Sequence, residues 1–184
     1  AHGLLDNWID QDIHFYAFEK VDDFSKEEII EVNGVTCIRV CEKESGNSAM
    51  MKYDKRCTDI TCEIVKKYNI KNPVMFHLGV RIGPYLLLNR YKIKKLGIIM
   101  MENPAGAEWR RTKWNKLVQL YLLLSAIAMA KSTDCMVCDN EGIKNLYQKI
   151  LIGRKPNLEY VAYGVESVPT VKEIMPSKVE NFFD

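Results

Sequence analysis

Short apolar runs that alternate with longer segments of helical periodicity constrain the fold of this sequence more than any other feature. The runs have the length of buried strands, and glycine, proline, asparagine or aspartate follows most of them. The segments between them space apolar residues three and four positions apart, as amphipathic helices do. Strands about 30 residues apart with helices between them predict a parallel sheet with right-handed crossovers. We therefore expect an α/β fold with a doubly wound, Rossmann-like, mostly parallel sheet.

The predicted elements cover most of the chain. Residues 1–11 carry helical spacing, so the fold is expected to lack its first strand. Residues 169–184 contain two prolines and depart from the rhythm, which predicts one domain over 1–168 followed by the start of an interdomain linker. We predict strands over 12–19, 34–41, 74–78, 97–101, 135–138 and 158–163, and helices over 48–68, 85–95 and 113–131 with a last one that ends at 150.

Composition excludes several classes of protein. Apolar residues make up 47% and charged residues 27% of the 184 positions, as in ordinary globular domains, and a net charge of +2 does not indicate a nucleic-acid partner. The longest apolar stretch, 117–130, is interrupted by Gln119 and Ser125 and is shorter than the roughly 20 residues that cross a bilayer. We interpret it as a buried helix.

The six cysteines favour free thiols in a reducing cytoplasm, because no signal peptide is recognisable. Cys135 and Cys138 form the sequence CMVC, which in isolation could be a redox or zinc motif. They fall within a predicted strand, where residues three apart point to opposite faces of the sheet. We therefore expect small buried apolar side chains and no metal site.

The stretch IMMENPAGAEWRRTKW, residues 99–114, is the best candidate for a functional site. It begins as a buried strand, breaks at a turn that contains Asn103 and Gly106, and continues into a cluster of charged and indole side chains. Ligands of open parallel sheets bind beyond the carboxyl ends of the strands, and this cluster follows such an end. Alternatively, its cations form a solvated helix face and its indoles cap the core. The cluster consists of Glu108, Trp109, Arg110, Arg111, Lys113 and Trp114.

Two other positions could contribute to chemistry. The loop GVRIGP after the strand 74–78 could bring Arg81 and backbone amides near an anion at the start of the next helix. His77 lies within the apolar strand, where a hydrogen-bonded core histidine is the favoured interpretation. The side chains at 99–114 suit a phosphorylated sugar, because indoles stack on sugar rings and guanidinium groups bind phosphate oxygens in pairs.

The motifs NPAGAEWRRTKWNK, TDCMVCDNEGIKNLY and EYVAYGVE resemble the bacterial rhamnosyltransferases of capsule and exopolysaccharide assembly, which are GT-B-type enzymes of glycosyltransferase family 4. The resemblance covers about residues 50–166 and concerns the amino-terminal, acceptor-side domain of those enzymes. It implies transfer of a sugar such as rhamnose from a nucleotide sugar to a lipid-linked glycan. Ala105 departs from the pattern, because the family often has Asp there, and no Asp-based role can be carried over.

The resemblance also implies how the parts would work. This domain would hold the acceptor and no cofactor, and a donor domain after Asp184 would bind the nucleotide sugar, so the fragment alone would be inactive. The protein would act in the cytoplasm at the inner face of the plasma membrane, with peripheral contact through Arg110 to Lys113. The rival hypothesis is a non-catalytic α/β binding or interaction domain. The expected site comprises Glu108 as catalytic acid or base, Arg81, Arg110 and Arg111 near phosphates, Trp109 near a sugar ring, and Asn103, Gly106 and Lys113 as further substrate-binding residues.

Overall fold

The fold is an α/β arrangement, seen in a computed structural model that describes residues 13–162. These residues form seven strands and four helices, with short 3₁₀ turns at Phe24–Lys26 and Glu108–Arg110. In chain order the elements are β1 Phe15–Val21, β2 Ile29–Val32, β3 Val35–Cys41, α1 Asn47–Tyr68, β4 Val74–Leu78, α2 Gly83–Lys95, β5 Ile99–Asn103, α3 Lys116–Ser132, β6 Cys135–Cys138, α4 Glu141–Ile150 and β7 Asn157–Tyr160.

The larger sheet contains four parallel strands in the order β4, β5, β6, β7. A helix connects each strand to the next, because parallel neighbours need a long crossover. Strand β5 lies between β4 and β6 and is apolar in its first half, as expected of an inner strand. The predicted α/β class with a mostly parallel, Rossmann-like sheet is confirmed.

The smaller sheet contains β1, β3 and β2 in that order, with β1 parallel and β2 antiparallel to β3. Strand β2 was not predicted, since the sequence indicated only a polar connection before the turn. Asn33 and Gly34 form that turn with φ angles of 51° and 77°, the left-handed values that a two-residue hairpin requires. The turn signal was therefore interpreted correctly, but the strand in front of it was missed.

Most other predicted boundaries agree within a few residues. Strand β5 begins at Ile99 rather than at residue 97, because Gly97 has a φ of 74° and ends the turn after α2. Helix α3 begins at Lys116 rather than at Lys113, since the Asn115 side chain caps it by accepting a hydrogen bond of 2.9 Å from the Val118 amide. The expectations for residues 1–11 and 169–184 lie outside the described residues.

The helices cover one face of the larger sheet. Met75, Met100 and Met136 occupy this face of β4, β5 and β6, and all three are buried among helical side chains. The alternate positions, such as Phe76 and Ile99, point to the other face and remain exposed among the described residues. The core therefore lies between the helices and one side of the sheet, and none of the described helices is both long and apolar enough to cross a membrane.

Candidate functional site

The carboxyl ends of β4 and β5 meet at one edge of the larger sheet. The Gly79 amide, just after β4, donates a hydrogen bond of 2.7 Å to the carbonyl oxygen of Asn103, the last residue of β5. The loop with Arg81 and the segment that follows Asn103 therefore leave the sheet side by side. This is the edge at which open parallel sheets bind ligands.

The turn after β5 is built by Asn103, Ala105 and Gly106. The Asn103 side-chain oxygen accepts a hydrogen bond of 2.8 Å from the Ala105 amide, which closes an Asx turn. Ala105 and Gly106 both have positive φ angles, 51° and 92°. Glycine adopts such a value without strain, whereas alanine does not. In this structure Asn103 and Gly106 shape the turn that presents the following cluster.

Glu108 is the centre of that cluster. One of its carboxylate oxygens, Oε1, accepts a hydrogen bond of 2.7 Å from Arg111, and the other, Oε2, lies 3.4 Å from the Trp114 indole nitrogen and 4.0 Å from the Lys113 ammonium. The Lys113 ammonium also lies 4.5 Å above the Trp114 ring centre. The Glu108 side chain is still 27% exposed. The structure thus joins Glu108, Arg111 and Lys113 in one solvent-accessible group.

Trp109 does not belong to this exposed group. Its side chain points into the core, where the residue is only 8% exposed and packs edge-on against Tyr147 at 5.9 Å between ring centres. A sugar ring could stack on this indole only if the core opened. Trp114, which the sequence placed in the cluster but not among the substrate-binding residues, is the indole nearer to solvent.

The two remaining predicted cations differ in their surroundings. Arg81 pairs with Asp54 of α1 at 3.3 Å, and the Tyr121 hydroxyl donates a hydrogen bond of 2.8 Å to the Arg81 carbonyl oxygen. Burial raises the pKa of the Asp54 carboxyl above its ordinary value of 3.8, and the Arg81 guanidinium opposes part of that rise. Arg110 is exposed and makes no ion pair with any residue in the range 13–162. Of these two residues, Arg110 therefore has more guanidinium donors that no described residue engages.

Sequence reasoning missed a buried carboxyl group one residue before the turn. Glu102 is 0% exposed, and neither of its carboxylate oxygens has a hydrogen-bond partner within the described part of the chain. Burial raises its pKa well above 4.5, because loss of hydration disfavours the charged carboxylate. A charged residue type inside an apolar strand was the available signal. His77 on β4 is the register partner of Glu102. Its Nε2 atom has no hydrogen-bond partner among residues 13–162, whereas the sequence favours a hydrogen-bonded histidine.

The cysteines are free thiols, and Cys135 and Cys138 lie on opposite faces of the sheet. Cys41 and Cys138 are buried, while the other four are partly buried. Burial raises the pKa of the Cys138 thiol to about 11, so it is not a reactive thiolate at neutral pH. Among residues 13–162 no three histidine, cysteine or acidic side chains are grouped closely enough to hold a metal ion.

Comparison with known families agrees with this α/β description. The sequence profile of a family described as a domain of unknown function, DUF1972, matches residues 2–166, which is most of the chain. The chain belongs to the DUF1972 family. DUF1972 is found in glycosyltransferase-associated proteins, and no curated protein matches the chain.

The site of this DUF1972 domain combines three chemical capacities at one edge. Glu108 offers a carboxylate that is fixed in position by Arg111 yet reached by solvent. Arg110 and Lys113 offer exposed cationic donors that suit phosphate oxygens. Trp114 offers a partly exposed ring beside the Lys113 ammonium. Such a group can accept a proton from a hydroxyl while it binds a neighbouring anion.

Proposed function

We propose that this chain is the acceptor-side domain of a glycosyltransferase, which moves a sugar such as rhamnose from a nucleotide sugar to a lipid-linked glycan acceptor. Two observations support the proposal. The chain belongs to a family found in glycosyltransferase-associated proteins, and the carboxylate of Glu108 lies within an exposed cationic cluster at the ligand-binding edge of the sheet. The second observation carries the argument, because it provides the chemistry.

Glu108 acts in this proposal as the base that takes the proton from the acceptor hydroxyl. Arg111 restrains the carboxylate through a hydrogen bond to Oε1. The other oxygen, Oε2, makes only the longer contacts with Trp114 and Lys113. An acceptor hydroxyl that displaces the 3.4 Å contact would meet an oxygen already held in position. Arg81, Arg110 and Lys113 then bind the phosphates of a lipid-linked acceptor, in line with the preference of cationic side chains for phosphate oxygens.

The test is the variant Glu108→Gln in the full-length protein. We expect turnover to fall about 10²-fold to 10⁴-fold, the usual contribution of a general base, because an amide cannot accept the proton. The assay measures release of nucleoside diphosphate from a nucleoside-diphosphate rhamnose in the presence of a membrane lipid extract. Glu44→Gln is the matched control, since Glu44 also forms an exposed ion pair, with Lys52, but lies outside the site.

The second candidate function is a non-catalytic binding or interaction domain. It is favoured by the fact that Glu108 is already engaged by Arg111, Trp114 and Lys113 of its own chain, as in a purely structural cluster. In that case Glu108→Gln would lower the melting temperature and leave turnover unchanged. Loss of turnover with an unchanged melting temperature would instead exclude the structural role.

The proposal that acceptor and nucleotide sugar bind to separate domains has its own test. If the nucleotide sugar binds a carboxy-terminal donor domain, the 184-residue chain should bind nucleoside-diphosphate sugars weakly or not at all, and should transfer nothing. Isothermal titration calorimetry on the 184-residue chain measures this directly. Micromolar binding by the isolated chain would contradict the assignment of the donor to another domain.

A further inference from the structure

A row of polar side chains lies on the helix-covered face of the larger sheet, close to its carboxyl edge. Two residues beyond the buried methionines of β4, β5 and β6, this face carries His77, Glu102 and Cys138. Tyr147 of α4 belongs to the same core cluster as Cys138. Glu102 and Tyr147 are both fully buried. Three strands and one helix therefore bring four titratable groups into an otherwise apolar part of the core.

Glu102 neighbours both His77 and Tyr147. It is the register partner of His77, and adjacent strands lie about 4.8 Å apart. Burial raises the pKa of the Tyr147 phenol, and the Glu102 carboxyl and the Cys138 thiol raise that pKa further because both groups lie close to it. The Tyr147 hydroxyl, the two Glu102 oxygens and the His77 Nε2 atom are buried, and none has a hydrogen-bond partner among residues 13–162. Folded proteins pair nearly all such atoms, so these four indicate contacts with one another.

The donors and acceptors of these residues match when Glu102 keeps its proton. The Tyr147 hydroxyl then donates to one Glu102 oxygen, and the other oxygen donates its proton to the His77 Nε2 atom. All four atoms are paired in this arrangement, and no charge is buried. An ionised Glu102 would need a cation beside it, yet the buried residues of the four described helices carry no charge, and the facing groups Cys138 and Tyr147 supply none. The neutral arrangement is therefore favoured over one that contains a buried carboxylate.

We propose that Tyr147, Glu102 and His77 form a hydrogen-bond chain, and that this chain is a pH-sensitive anchor for the 3₁₀ turn that follows β5. Rotation about the side-chain bonds of Glu102 closes the chain, because a glutamate side chain spans the gap between neighbouring strands. Tyr147 passes the constraint to Trp109, whose indole packs edge-on against its ring at 5.9 Å between ring centres. Trp109 is the middle residue of the turn. The chain thus connects β4, β5 and α4 to the segment that leaves the carboxyl edge of the sheet.

The anchor is released on the alkaline side. Because the pKa of Glu102 is raised by burial, the carboxyl keeps its proton above its ordinary range, and the chain breaks as pH rises through the raised pKa. An ionised Glu102 cannot donate to the His77 Nε2 atom, and its charge favours a rearrangement that brings it water. Burial lowers the pKa of His77 to about 4, so its Nε2 atom remains an acceptor down to that pH. The anchor does not depend on the transfer reaction, since core side chains alone form it.

Nuclear magnetic resonance of the 184-residue chain tests the anchor through the indole N–H signal of Trp109, which the variant Trp109→Phe identifies. We expect this signal to move as pH is raised in steps above neutrality. In the variant Glu102→Gln the amide group donates to His77 and accepts from Tyr147 at every pH, so the signal should stay in place. A Trp109 signal that moved equally in both proteins, or in neither, would overturn the proposal.

Cys138→Ala is the matched control. Its thiol is another acidic group beside Glu102 whose titration could move the Trp109 signal, and burial raises the pKa of that thiol to about 11. The control should show the same pH-dependent movement as the unmodified chain. If the movement disappeared in Cys138→Ala, the thiol would be the titrating group and the proposal would be wrong.

A second measurement at neutral pH tests the chain even if the protein unfolds in alkali. Proton–nitrogen correlations on the chain with isotope-labelled histidine show which ring nitrogen of His77 carries the proton. We expect the proton on Nδ1, with Nε2 as the acceptor, in the unmodified chain and in Glu102→Gln. Glu102→Leu removes the donor and should abolish this preference. A proton on Nε2 in the unmodified chain, or an unchanged preference in Glu102→Leu, would refute the hydrogen-bond chain.

Discussion

His77 and Glu102 are register partners on β4 and β5, and both turn toward the helix-covered face of the sheet. The Nε2 atom of His77 and both carboxylate oxygens of Glu102 are buried without a hydrogen-bond partner among the described residues. Burial lowers the pKa of His77 to about 4 and raises the pKa of Glu102 well above 4.5. Burial favours the uncharged form of both groups, and their effects on stability depend on pH in opposite directions.

Glu102 is expected to destabilise the fold increasingly at higher pH. Its pKa is higher in the folded than in the unfolded state, so unfolding releases a proton and stability is lost as pH rises above 4.5. The variant Glu102→Gln removes this dependence, and its free energy of unfolding relative to the unmodified chain should therefore increase with pH. Urea unfolding of both proteins at pH values below and above neutrality measures this difference in unfolding free energy. Glu63→Gln, at an exposed position of α1, is the control. If the difference in unfolding free energy between Glu102→Gln and the unmodified chain did not change with pH, the raised pKa of Glu102 would be contradicted.

His77 is expected to limit stability on the acid side. Its pKa is lower in the folded than in the unfolded state, so its contribution is complete above the ordinary pKa of 6.5 and is lost as pH falls toward about 4. The drop from 6.5 to about 4 corresponds to about 3 kcal/mol. In an acid titration monitored by circular dichroism, His77→Met should unfold at a lower pH than the unmodified chain. The exposed His14→Gln serves as control, and identical acid midpoints for all three proteins would refute the prediction.

The parallel sheet was predictable because each inner strand is a short apolar run with a turn signal behind it. The hairpin strand β2 was not, since only four residues form it and its charged neighbours mask the alternation. The two sides of α3 show a different limit of prediction from sequence. Apolar spacing predicts that a helix has a buried face, but it cannot predict which apolar face is left exposed. That depends on which elements pack beside the helix.

The position of the charged cluster in the fold was predictable for a related reason. The end of β5 and the charged cluster after it follow from the chain order, and the topology places such a cluster at the ligand edge. The directions of individual side chains do not follow. Trp109 and Trp114 belong to one motif, yet the first fills the core and the second contacts Glu108. A sequence motif cannot distinguish these orientations, because only the folded backbone sets them: Trp109 lies within the 3₁₀ turn Glu108–Arg110, whereas Trp114 lies beyond it.

Ala105 is a position where substitution should stabilise the fold. Its φ of 51° is left-handed, a conformation that costs an alanine roughly 1 kcal/mol or more relative to a right-handed one. Ala105→Gly removes this strain but raises the entropy of the unfolded chain, so we expect a net gain of about 0.5 kcal/mol. Chemical denaturation measures it. Ala107→Gly is the control in the same loop, because Ala107 has a φ of −99° and should lose stability. A destabilised Ala105→Gly variant would contradict the reasoning.

Gly83 is a position where even a methyl group should be disruptive. A Cβ atom there would overlap the Ser125 carbonyl oxygen and lie 2.8 Å from the Met129 backbone nitrogen, and backbone atoms of a packed helix cannot move aside easily. We expect Gly83→Ala to cost about 3 kcal/mol or more and to separate α2 from α3. Gly142→Ala in α4 is the control, because its nearest neighbour is the Asn140 side-chain oxygen at 3.1 Å and not a backbone atom of another helix. Equal melting temperatures for the two variants would show that the helix contact is looser than described.

Trp109 is expected to contribute to stability rather than to ligand contact. Because its indole is buried against Tyr147, Trp109→Ala should cost about 3–5 kcal/mol of unfolding free energy, whereas Trp109→Phe keeps an aromatic ring and should cost less. Trp114→Phe is the matched variant, since it retains a ring but loses the indole nitrogen that faces Glu108. We expect Trp114→Phe to reduce turnover of the full-length protein with little change in melting temperature, and Trp109→Phe to do the reverse. If Trp109→Phe instead reduced turnover at an unchanged melting temperature, Trp109 would contact the substrate, and the core would have to open for it.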